Sequence, residues 1–204
     1  MAPIFLVDLD DTLFRSRRKL PGFTDGQLTL GARVLDPDAP ASKYSYMTPT
    51  QKALVDWLLR TTQVIPVTAR GTDSYANVQI PFSSYAIVAN GAVILDPDGK
   101  PDAEWRDFMV EAQLLPFADY FSELLDAARA KSADLGVSMR CWPVLEDGVA
   151  TYLVFKENDS GDGSRLQGNR ACRRQGRLDP PPQRQQPGAH STSHLKASRD
   201  KLPA

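Results

Sequence analysis

Asp8, Asp10 and Asp11 crowd into the run Asp8-Leu9-Asp10-Asp11-Thr12, directly after the apolar tetrapeptide Ile4-Phe5-Leu6-Val7. Along an extended chain, residues two apart start on one face, so Asp8 and Asp10 begin side by side. Two carboxylates held together repel, and one tends to protonate unless something compensates. A hard divalent cation resolves that conflict by taking oxygen ligands from such a loop. An isolated Asp pair would more simply start a turn or cap a helix. Here the pair closes a strand-like apolar run, and Thr12 completes an Asp-x-Asp-x-Thr pattern, which favours chemistry over punctuation.

The elements that must hold this loop are legible around it. The run 4–7 is continuous and apolar, as expected of a short strand buried on both faces. Turn signals at Pro21-Gly22, Asp25-Gly26 and Asp36-Pro37-Asp38 punctuate the next stretch, and the pieces 28–35 and 43–47 predict a hairpin. Thr48-Pro49 reads as an N-cap followed by proline at the first helical position. It opens a helix to about Arg60 with Leu54, Val55, Trp57 and Leu58 on its apolar face. Runs 64–67 and 85–89 are further buried-strand candidates, ending in Thr68-Ala69-Arg70 and Asn90-Gly91 respectively, and 92–95 continues as a hairpin. Apolar strands separated by helical material predict a parallel α/β sheet, whose sites lie beyond the carboxyl ends of its strands. Farther on, Leu114, Phe117, Ala118, Phe121, Leu124, Leu125 and Ala128 recur at helical spacing and predict one amphipathic helix. The segments 137–142 and 151–155 alternate and predict a hairpin across Glu146-Asp147-Gly148.

Composition divides the 204 residues unevenly. Residues 1–160 carry 15 basic and 22 acidic side chains, whereas 161–204 carry 9 basic and 3 acidic and lack aromatic residues, Val and Ile. The second stretch cannot bury enough apolar surface to offset its ordering entropy, so it is expected to be a disordered basic tail. Its Arg165, Arg170, Arg173, Arg174 and Arg177 would suit phosphate contacts, but no aromatic residues interleave them, and nucleic acid is not the expected partner. Cys141 and Cys172 show no metal-type spacing, which argues against a disulfide framework or a zinc site. With no basic leader at the N-terminus and no apolar run of membrane-spanning length, a cytoplasmic protein without a membrane partner is expected.

The Asp8–Thr12 pattern resembles the first motif of the haloacid dehalogenase superfamily of phosphohydrolases. The resemblance implies that Asp8 attacks phosphorus to form an aspartyl phosphate. It implies that Asp10 protonates the leaving oxygen and then activates water, and that Mg²⁺ sits against the Asp8 carboxylate and the Asp10 backbone carbonyl. It further implies that Thr12 belongs to the same phosphate-binding loop. The run 64–67 with Thr68-Ala69-Arg70 is similar to the second motif, in which Thr68 would hydrogen-bond phosphoryl oxygens and Arg70 would bind substrate or orient the loop. Val88-Ala89-Asn90-Gly91-Ala92 is similar to the turn of the sugar-phosphatase branch with a large α/β cap, which makes Asn90 a substrate-side candidate. The implied architecture is a Rossmann-like core over 1–100, a partial α/β cap over 101–158 and the tail over 159–204. The implied substrate is a small phosphorylated metabolite such as a sugar phosphate. The superfamily's later Lys and Gly-Asp motifs have no counterpart that can be placed: Gly161-Asp162 reads as linker, Lys156 as a solvated strand end, and Lys196 has no strand context. A truncated or frame-shifted gene is therefore expected beyond residue 160, and with it either a weakened phosphatase or an inactive remnant with a binding role.

Overall fold

The computed structural model describes residues 2–157. The composition-derived tail, with Cys172 and the arginines named above, lies outside the described residues. The chain is of mixed α/β type. Strand β1 (Ile4–Val7) pairs in parallel with a later strand, Gln63–Pro66, in the register Ile4 to Gln63 through Val7 to Pro66. Between them come β2 (Arg15–Ser16), β3 (Thr29–Ala32) and β4 (Ser45–Met47), an antiparallel sheet with β4 in the middle. The expected pairing of the 28–35 and 43–47 segments is there, joined by the two-residue β2.

Helix α1 (Pro49–Thr61) follows, and Gln63–Pro66 is β5. Thr48 caps α1 by accepting the Gln51 N–H at 3.3 Å, while Gln51 Oε1 accepts the Thr48 N–H at 3.1 Å, a reciprocal box set by sequence spacing. Loss of such a cap costs about 1 kcal/mol. Of the expected apolar face, Val55 and Leu58 are buried, whereas Leu54 and Trp57 remain exposed.

After the short helix α2 (Thr72–Ala76), β6 (Ala86–Val88) turns into the antiparallel β7 (Val93–Leu95). Val67, one residue beyond β5, bridges Ile87 in parallel, so β6 runs alongside β5. Two apolar clusters result. The larger holds Val7, Leu9, Leu13, Phe14, Met47, Val55, Leu58 and Val64; the smaller holds Ala86, Val88, Val93 and Leu95. Tyr75 of α2 packs against both. Leu9, Leu13 and Phe14 are all but fully buried, and each such side chain contributes roughly 1.5–3 kcal/mol. Gly31 in β3 permits this packing, because a Cβ there would stand 2.6 Å from the Phe14 Cβ.

Two expectations need correction. The strand at 4–7 is not buried on both faces: Ile4, Phe5 and Leu6 are 60%, 44% and 58% exposed. Among the described residues β1 pairs only with β5, so its other edge has no neighbour to cover it. The amphipathic helix expected through 114–128 is present from Ala118 onward with Leu125 buried, but its expected first turn, 114–117, is not α-helical. Helix α3 (Ala103–Phe108) passes into a π-helical turn over Met109–Leu114 and a 3₁₀ turn over Leu115–Phe117 before α4 (Ala118–Asp134). Pro116 accounts for the break, since it lacks an N–H and its ring clashes with the preceding turn. Strands β8 (Met139–Glu146) and β9 (Val149–Glu157) then form the expected hairpin. Its turn places both Asp147 and Gly148 at positive φ, 50° and 81°, matching the twist of the flanking strands. No helix among the described residues is long and apolar enough to cross a membrane.

Candidate active site

The acidic loop takes its geometry from the alternation of an extended chain. Leu9 is driven into the core while Asp8 and Asp10 on either side of it are exposed, so the two carboxylates leave the chain on the same side. The chain then turns sharply at Asp11, whose φ is 63°, and the N–H groups of Thr12, Leu13 and Phe14 all donate to the Leu9 carbonyl. Gln51 adds an anchor from α1, its side-chain amide donating to the Thr12 carbonyl at 2.9 Å. The residue that closes the capping box thus also holds the loop.

The parallel register sets Thr68 against this loop. Val7 lies opposite Pro66, and the Val67 N–H donates to the Val7 carbonyl at 2.8 Å. Asp8 and Thr68 therefore leave neighbouring strands at the same end of the sheet. Thr68 is only 4% exposed, and its hydroxyl oxygen accepts the Arg70 N–H at 3.1 Å. The 89–91 turn closes over the same segment: the Asn90 N–H donates to the Thr68 carbonyl at 3.1 Å and the Ala89 N–H to the Arg70 carbonyl at 2.6 Å. Ala89, Asn90 and Gly91 all have positive φ, at 50°, 57° and 94°. Non-glycine residues adopt that region only at a cost. The Asn90 side chain is exposed, and through its backbone the residue meets the loop that follows β5, residues 68–71, the second loop of the site.

The three carboxylates have different partners. Arg70 grips Asp10 with both arms of its fork, Nε to Oδ2 at 2.7 Å and Nη2 to Oδ1 at 2.9 Å, while its guanidinium lies 5.1 Å from the Phe14 ring centre. The Lys19 ammonium pairs with Asp11. Asp8 accepts only a neutral donor among the described residues, the Thr12 hydroxyl at 2.8 Å, and forms no ion pair among them.

For a cation, the loop offers the Asp8 carboxylate and the Asp10 backbone carbonyl, since both oxygens of the Asp10 carboxylate are engaged by Arg70. No group of three or more His, Cys, Asp or Glu side chains suited to a metal occurs among the described residues. Two oxygens of this kind are compatible with a hard cation that keeps several waters and completes its shell with substrate phosphate, as Mg²⁺ does.

The β8–β9 hairpin supplies residues that local sequence did not single out. The Tyr152 hydroxyl donates to the Ala69 carbonyl, and the Glu146 carboxylate accepts the Thr72 N–H at 3.0 Å. Burial first, and the Glu146 carboxylate second, push the Tyr152 phenol above its ordinary value of 10.0. The hairpin and the second loop line an open cleft of about 690 Å³ that reaches Asp10 and Arg70. Lys19, Gln51, Glu146 and Tyr152 are the contributors the linear reading missed. Only Gln51 left a local trace, as the third residue of its capping box. Neither the family models nor the curated proteins compared with this chain match it.

Proposed function

We propose that the chain is a Mg²⁺-dependent phosphohydrolase of the haloacid dehalogenase type, with a Rossmann-like core and a partial α/β cap, acting on a small phosphorylated metabolite. One observation carries this reading. Of three neighbouring carboxylates, two are paired with Arg70 and Lys19, and Asp8 alone is in no ion pair among the described residues, oriented by a hydroxyl at the strand end beside Thr68. That is the state a nucleophilic carboxylate needs. The parallel succession of β1, β5 and β6, with candidate residues at their carboxyl ends, supports the core assignment.

On this reading an Asp8 oxygen forms a bond to phosphorus as the bond to the alcohol oxygen breaks. Asp10, protonated by solvent once it leaves Arg70, gives that proton to the departing alcohol; a water then bonds to phosphorus as the Asp8 oxygen–phosphorus bond breaks, and the water's proton returns to Asp10 as phosphate leaves. For either transfer an Asp10 oxygen must exchange Arg70 for the reacting group, so Arg70 positions Asp10 between turnovers. Thr68 faces the accumulating phosphoryl charge. Mg²⁺, held by the Asp8 carboxylate and the Asp10 carbonyl, would neutralise phosphate charge when bound.

The test is phosphate release from an aryl phosphate with and without Mg²⁺. Wild-type protein is expected to turn over only with the metal. Asp8→Asn is expected to lower the rate by about a thousandfold or more, as loss of a covalent nucleophile does. A second reading, an inactive fold remnant with a binding role, is favoured by the absence of a richer acidic cluster among the described residues. Folded protein that releases no phosphate would select it.

A further inference from the structure

The cleft between the second loop and the β8–β9 hairpin carries an unbalanced charge. Arg70 is the cation among its lining residues, and Asp10 already neutralises it through both arms of the fork. Its remaining arm is directed to the Ser74 carbonyl at 3.4 Å. Asp73 and Glu146 also line the cleft, and neither is in an ion pair among the described residues. Glu146 is held in place by a backbone N–H, which fixes its position without cancelling its charge. Trp142 adds an apolar wall, with Arg140 over its ring at 5.9 Å but outside the lining.

We infer that this cleft receives the alcohol portion of a phosphomonoester and selects uncharged alcohols over those bearing a second anionic group, with Glu146 and Asp73 supplying the repulsion. The inference rests on the phosphohydrolase reading and narrows its substrate class. A phosphoryl group at Asp8 places the rest of the ester toward Asp10 and the cleft beyond it. Like charges brought together in a part-enclosed cleft of reduced dielectric repel more strongly than in open water. An aromatic wall, by contrast, suits the carbon face of a polyol or sugar.

The test compares kcat/KM for glycerol phosphate and phosphoglycerate, which present the same phosphate and differ by one carboxylate. Wild-type protein is expected to favour glycerol phosphate by about tenfold or more, with the preference shrinking as salt is raised. Glu146→Gln retains an amide oxygen to accept the Thr72 N–H while removing the charge, and should narrow the preference by about tenfold. Asp73→Asn, at an exposed position, provides the same readout should Glu146→Gln destabilise the hairpin. Equal use of the two esters, or a preference that both variants leave unchanged, overturns the inference while leaving the phosphohydrolase reading intact. Release of phosphate from neither ester, nor from an aryl phosphate, overturns that reading and this inference with it.

Discussion

The Arg70 guanidinium makes two parallel hydrogen bonds to Asp10 while lying against Phe14, a buried ring of the larger cluster. The fork, the ring contact and the nearby Ser74 carbonyl together fix one orientation, and only arginine offers the planar geometry for all three. Arg70→Lys keeps the charge but loses the bidentate grip. Because misplacement of a reacting group by about 1 Å costs on the order of a hundredfold, Arg70→Lys is expected to lower kcat by about that factor with a smaller change in KM. Steady-state phosphate release would measure this, and an unchanged kcat would remove Arg70 from the positioning role. The pairing of Lys19 with Asp11 acts differently, joining two exposed groups in a contact that salt screens readily.

Strand β1 illustrates how an element's environment departs from its composition. Ile4 and Phe5 are strong β-formers, and the parallel pairing of their strand with β5 is the one the sequence implies. Yet their side chains are exposed, and β1 has a partner on one edge only among the described residues. An apolar strand edge of this kind favours association between chains, and charged side chains are the usual deterrent. Leu6→Lys is therefore expected to reduce concentration-dependent self-association, measured by light scattering, with less than about 0.5 kcal/mol change in stability because the site is exposed. The segment from α3 to α4 departs from expectation for a local reason. Its apolar spacing suits one helix, but Pro116 removes a donor, and the chain takes up a π turn before it and a 3₁₀ turn that contains it.

Tyr75 joins the two apolar clusters, and burial pushes its phenol up to about 12. In the unfolded chain the phenol ionises near 10.0, so between these values the unfolded state loses its proton while the folded state keeps it. The resulting stability is complete below pH 10 and is lost as pH rises toward about 12. The slope is at most about 1.4 kcal/mol per pH unit, and less here because the half-buried ring is partly screened by solvent. Tyr75→Phe should flatten this decline in denaturant titrations at successive pH values. Part of the decline should persist, because burial raises the Tyr46 and Tyr152 phenols in the same direction. The turn of the acidic loop onto the Leu9 carbonyl, the Thr48 cap and the β8–β9 turn are determined by neighbours a few residues apart, so residue type and spacing alone specify them. The partners that define the candidate site are not local. Arg70 reaches Asp10 across 60 residues, Thr72 reaches Glu146 across 74, and Tyr152 reaches Ala69 across 83. Which carboxylate is neutralised and which stays free, and whether a β-forming strand is covered, depend on chain returning from such distances. Only the tertiary structure brings those groups within hydrogen-bonding range.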